Sequence, residues 1–204
     1  AAVPWLWRGA GVAMIAEAPL LSAIPAASER HLAVRVTPAG ARALRQGHPW
    51  LYESAIRSQS FEGHPGDIAV AFDERGRFLA AGLYDPRSPI RVKVLQHRSP
   101  EPIAGDWFRA RLSAAAMRRA SLATPDTTGY RLVHGENDGL PSLVVDRYAE
   151  TLVVKLYTAA WVRHLRALLP ALLDVQPAER LVLRLGRMLE AWPEDLYGLA
   201  DGQV

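Results

Sequence analysis

The sequence predicts an α+β chain, a β pseudo-barrel around one helix followed by a small α/β domain. Three observations lead there. Short β-rich segments separated by turn residues fill residues 32–95, the apolar period becomes helical over 105–122, and strands then alternate with one further helix up to residue 185. With 204 residues, half of them apolar, the chain can bury a core as one medium domain or two small ones. It contains no cysteine, which excludes disulfides, thiolate metal sites and thiol nucleophiles from this sequence.

The first 30 residues are rich in Ala, Leu and Pro. Arg8, the apolar run after it and Ala26-Ala27-Ser28 have the outline of a secretion signal, but Glu17 and two prolines interrupt the run. No apolar segment approaches the roughly 18–20 residues that span a bilayer. Residues 1–30 are therefore expected to be a disordered or non-native tail, and the protein to be cytoplasmic with no membrane contact.

Leu32 to Val36 alternates and is β-branched, as a strand does. Thr37 followed by Pro38 is a helix start, with Ala41, Leu44 and Arg45 continuing the helix and Gly47 ending it in a left-handed stop. Pro49 forbids further helix, and Trp50, Leu51 and Tyr52 return the chain to the core. Ile68–Phe72, Phe78–Tyr84 and Ile90–Leu95 read as strands, the first two joined by a turn at Asp73-Glu74-Arg75-Gly76. Period-two alternation puts Arg91 and Lys93 on one face of the last strand, opposite Ile90, Val92 and Val94.

A boundary is expected near residues 97–105, separating a unit over 31–98 from one over 105–190. The second unit opens with a helix carrying Trp107, Phe108, Leu112 and Ala115, ended by Thr124-Pro125-Asp126. Strands follow over Tyr130–Val133, Leu143–Asp146 and Leu152–Tyr157, then a helix from Trp161 to Leu173 and a strand over Leu181–Leu185. That last strand is expected to leave an apolar side exposed, favouring self-association as a homodimer.

The net charge of +3 is unevenly spread. Arg30 to Arg119 carries 15 Lys/Arg against 8 Asp/Glu, whereas the rest of the chain is slightly acidic. Such a stretch suits a polyanion, although an Arg-rich surface is also what compositional bias produces when Lys93 and Lys155 are the only lysines. Arg42 and Arg45 on the first helix, with His48, Tyr84, Arg87, Arg91 and Lys93, make a candidate RNA-binding set: arginines pair with phosphates and aromatics stack splayed bases. Trp50 and Tyr52 fit either that set or the core.

The loop His134-Gly135-Glu136-Asn137-Asp138-Gly139 concentrates one imidazole and two carboxylates. Glu136 and Asp138 suit a cation or acid–base work, and the same residues suit a tight turn whose carboxylates hold backbone amides. No other cluster has metal-ligand spacing, and Gly9-Ala10-Gly11 lacks the strand and third glycine of a dinucleotide loop.

The Thr-Pro-capped helix, Gly47-His48-Pro49-Trp50-Leu51-Tyr52, and Gly82-Leu83-Tyr84-Asp85-Pro86-x-Ser88-x-Ile90-x-Val92 together resemble a PUA domain. It is the form found at the front of the bacterial SAM-dependent 23S ribosomal RNA cytosine-5 methyltransferases. Tyr130 to Tyr148, including His134–Gly139, resembles the signature of that family's second domain, with Ser142 where the family often has glycine. The resemblance runs over about residues 32–204. It implies a ribosomal RNA partner, and S-adenosylmethionine as the cofactor of a further, catalytic domain carrying a Cys nucleophile. By that resemblance 191–204 starts a linker to a domain this sequence lacks, no cofactor binds this chain, and no catalytic residue carries over. Two other readings remain: a stand-alone RNA-binding adaptor, and a small enzyme using Glu136 and Asp138.

Overall fold

The computed structural model describes residues 19–202 except Pro125, so the readings made on Arg8, Gly9-Ala10-Gly11, Glu17 and Pro125 lie outside the described residues. A one-turn helix α1 (Pro19–Ser22) precedes β1 (Leu32–Val36), α2 (Pro38–Arg45), β2 (Trp50–Tyr52), β3 (Ile56–Gln59), β4 (Ile68–Phe72), β5 (Phe78–Tyr84) and β6 (Ile90–His97). The second unit comprises α3 (Gly105–Arg118), β7 (Gly129–His134), β8 (Leu143–Tyr148), β9 (Thr151–Leu156), α4 (Leu165–Val175) and β10 (Arg180–Leu185).

The first six strands form one curled sheet in the order β2-β6-β5-β4-β1-β3, parallel only between β1 and β4. Its inner face closes on α2 through Leu32, Val34, Leu44, Leu51, Val92 and Val94. α2 starts where expected: the Thr37 hydroxyl accepts from Gly40 N at 3.2 Å, and Gly47 takes φ 84° after the last turn. β3 was not legible in the sequence, because Ile-Arg-Ser-Gln at a sheet edge has little to bury and shows no apolar alternation.

The second sheet runs β10-β9-β8-β7, with β9 and β10 parallel across the α4 crossover. α3 and α4 cover one face around Phe108, Leu112, Trp161, Leu168 and Leu172. The helix expected from Trp161 begins instead as a 3-10 turn over Ala159–His164 and becomes α-helical at Leu165.

Three expectations change. Residues 19–30 are not simply a loose tail, since Leu21 and Ile24 are fully buried in the second unit's core. The boundary near 97–105 divides the chain's topology but not its packing: Ile68, Ala81, Leu83 and Leu95, on the outer face of the first sheet, belong to that same core. The apolar side of β10 is not exposed either. Leu181, Leu183 and Leu185 point inward, and the backbone of Leu183 and Leu185 is bound by Gly202 N and the Asp201 carboxylate, each at 2.8 Å.

Candidate nucleic-acid interface

The parallel pairing of β1 with β4 carries the β4–β5 turn alongside α2. Between them lies a groove of about 500 Å³ lined by Arg42, Arg45, Arg75 and Arg77. Asp73 organises it. Its carboxylate accepts from the backbone of Arg75 (3.0 Å) and Arg77 (2.9 Å), from Arg77 Nε (2.8 Å) and from Arg45 (2.6 Å), and Arg35 reaches its carbonyl. The backbone N–H of Arg77 is the largest influence holding this carboxyl below its usual pKa, against the opposing effect of burial and with the Arg77 side chain adding to it. Arg42 and Arg75 are exposed and make no ion pair among the described residues, so they remain able to meet an anion. The sequence pointed to Arg42 and Arg45 but not to Arg75 and Arg77. Their signal, an arginine-rich turn, gains meaning only once strand order places it beside the helix.

The rest of the expected RNA-binding set is spread elsewhere. Lys93 and Tyr84 are buried: the Lys93 ammonium donates to Asp85 Oδ2 at 2.6 Å, and the Tyr84 hydroxyl to Gln59 at 3.1 Å. Lys93 does lie on the strand face opposite Val92, but the second unit packs on that face. Burial lowers its pKa, opposed by the adjacent Asp85. Arg91 is held by Glu53 and by the Pro86 carbonyl. Arg87 crosses to the second unit, pairing with Glu194 and Asp195 at 3.1 Å each and stacking 3.9 Å above the Trp192 ring. His48 is half-buried, with Nδ1 bound by Trp50 N at 3.2 Å.

The joint between the units is polar at its centre and apolar around it. Asp85 also accepts from the Thr158 hydroxyl at 2.6 Å, and Trp50 Nε1 donates to Glu136 at 2.9 Å. Arg163 reaches Asp67 at 3.3 Å, and His164 is bound to the Gly66 carbonyl at 2.7 Å. Trp50 is thus neither an exposed stacking ring nor a wholly internal one: it ties the barrel to the 134–139 loop.

That loop is a 3-10 turn over Gly135–Asp138, with Gly135 at φ 50° and Gly139 at φ 70°. The Asp138 side chain, 1% exposed, accepts from Arg118, from Arg119 and from the His134 backbone N–H. Burial raises its carboxyl, but the Arg119, His134 and Arg118 hydrogen bonds together outweigh that and hold it below the usual range. Glu136 accepts from Trp50 and from Ser142 N. His134 and Asn137 are exposed at the rim. Both carboxylates are thus engaged by hydrogen bonds within the fold, and among the described residues no three His, Asp or Glu side chains stand together as a metal site.

Residues 34–97 match the PUA-like domain family. Beyond that region too, the chain is similar in sequence to ribosomal RNA large subunit methyltransferases. It is 51% identical over 185 residues to one from Deinococcus radiodurans, covering 88% of this chain and 45% of that protein. It is 39% identical over 133 residues to ribosomal RNA large subunit methyltransferase I of Photobacterium profundum, covering 64% and 34%. The chain thus spans less than half the length of the curated relatives it matches. A solved candidate SAM-dependent methyltransferase from Streptococcus mutans shares the fold, with TM-score 0.66 at 13% identity over 75% of this chain and 40% of that one. A second candidate methyltransferase, solved with SAH, gives TM-score 0.66 at 15% identity over 76% of this chain and 40% of that one.

Proposed function

We propose that this chain is the RNA-docking, N-terminal portion of a SAM-dependent ribosomal RNA cytosine-5 methyltransferase, with methyl transfer carried by a domain outside these residues. The observation that carries the reading is the arginine groove beside α2. It lies within the PUA-like region, and exposed arginines on opposite walls suit a phosphate backbone. Asp73 holds Arg45 and Arg77 in fixed positions, so less side-chain entropy is lost when RNA binds. The likeness to ribosomal RNA methyltransferases supports ribosomal RNA as the partner, in the bacterial cytoplasm. The same likeness supports S-adenosylmethionine as the cofactor of the whole protein. The turn after β9, Tyr157-Thr158-Ala159-Ala160, has no glycine, and its Thr158 hydroxyl donates to Asp85, so this turn is not a glycine-rich cofactor loop.

The test is a titration of structured ribosomal RNA at rising salt. Affinity should fall steeply with ionic strength, and Arg42→Gln and Arg75→Gln should each flatten the log–log salt slope by about one. An affinity indifferent to salt overturns phosphate docking. Methylation of a base by these 204 residues alone would overturn their role as a platform without chemistry.

A further inference from the structure

We propose that the face of the second sheet turned away from α3 and α4 is a platform for single-stranded RNA, a second contact separate from the arginine groove. The inference rests on the RNA-binding reading above and adds a site and a form of RNA to it.

Both helices pack on one face of this sheet. Leu152, Val154 and Leu156 turn inward to them, and the alternate residues Val153 and Lys155 turn outward. The register sets His134, Val144, Lys155 and Arg184 in one row across all four strands, beside a row of Arg131, Asp146, Val153 and Val182. Two tyrosines flank these rows. Tyr148 is 55% exposed, its ring over Gly129, where a Cβ would come within 3.1 Å of it. Tyr157 is 51% exposed, with the Lys155 ammonium 4.9 Å above its ring. Arg131 and Arg184 are paired with Asp146 and Asp201, whereas Lys155 makes no ion pair among the described residues.

Exposed aromatic rings on an open four-stranded sheet, separated by charged side chains, suit nucleobases with phosphates between them. They suit a protein partner less well: Lys155, which makes no ion pair among the described residues, and Asp146 stand between the rings, and Lys and Asp are depleted at protein interfaces, although Tyr and Arg are not. A duplex cannot use the rings, since its bases are already stacked. Single-stranded RNA is therefore the occupant.

The experiment compares an unstructured oligoribonucleotide of about ten nucleotides with a ribosomal RNA hairpin, both titrated onto the whole chain. Tyr148→Ala and Tyr157→Ala should each weaken single-strand binding about five-fold or more, with Tyr→Phe restoring it, while hairpin binding through the arginine groove stays the same. Lys155→Gln should lower the salt slope for the single strand by about one. These are exposed positions, and matching melting curves will establish that the variants fold. Unchanged single-strand affinity in both tyrosine variants overturns the platform, as does a chain that binds the hairpin but not the single strand, and in both cases the groove reading stands. A chain that binds neither RNA overturns both. Rings shielded from iodination by another protein segment, and not by RNA, would assign the face to protein docking and also overturn the proposal.

Discussion

Ser142 sits at φ 63°, in the left-handed region where an L-residue pays for contact between its Cβ and the backbone. Its backbone is fixed there by use at both ends: N–H donates to Glu136 and C=O accepts from Tyr157. Ser142→Gly is expected to raise stability by about 0.5–1 kcal/mol, the relief exceeding the added entropy of an unfolded glycine, and a urea midpoint measures it. Lys93 is the opposite case, a residue whose chemistry suggested one role and whose burial imposes another. Removing the ammonium leaves Asp85 desolvated, so Lys93→Met should cost about 3 kcal/mol, partly recovered by adding Asp85→Asn. RNA affinity of the folded variant should match that of the unaltered chain. A loss of affinity at unchanged stability would return Lys93 to the binding surface.

At the scale of elements, Gly82 shows why the second barrel motif is spelled as it is. A Cβ there would stand 2.1 Å from the Lys93 carbonyl oxygen, at the bulge where β5 pairs with β6. Gly82→Ala should cost about 3 kcal/mol by thermal denaturation, because the neighbour is backbone and has no rotamer by which to move aside. The strands and helices with strong periodicity or explicit stops were legible for local reasons: alternation in Leu32–Val36, the Thr37–Pro38 start, and Gly47 as a stop. β3 was not, since an edge strand buries little, and neither was the 3-10 entry to α4, where Trp161 and Val162 are buried whatever the helix pitch. Of the candidate interface, Arg42 and Arg45 were readable from helix spacing. Arg75 and Arg77 were not, because their nearness to α2 depends on a parallel strand pair far apart in sequence.

At the scale of the whole molecule, the joint between the units holds a buried histidine, His164, against the Gly66 carbonyl. Burial is the main cause that lowers the pKa of His164, outweighing its bond to the Gly66 carbonyl, and burial likewise lowers His97. The folded protein therefore protonates these rings less readily than the unfolded chain, which takes up protons below about pH 6.5, so stability should fall as pH drops below that value. His164→Gln should remove part of that slope, the remainder belonging to His97. Denaturant midpoints across this range will show it, and an unchanged slope would place the sensitivity elsewhere. The same joint explains why the outer face of β6 misled: a strand shows which residues share a face, not what will cover it. Amino-acid order was enough to establish the two kinds of secondary structure, the turns, the basic bias of residues 30–119 and the lack of any thiol, because each follows from neighbours within a few positions. Which arginines gather, which lysine is buried and which sheet face stays open were settled by packing between distant segments, where burial and desolvation outweigh local preference.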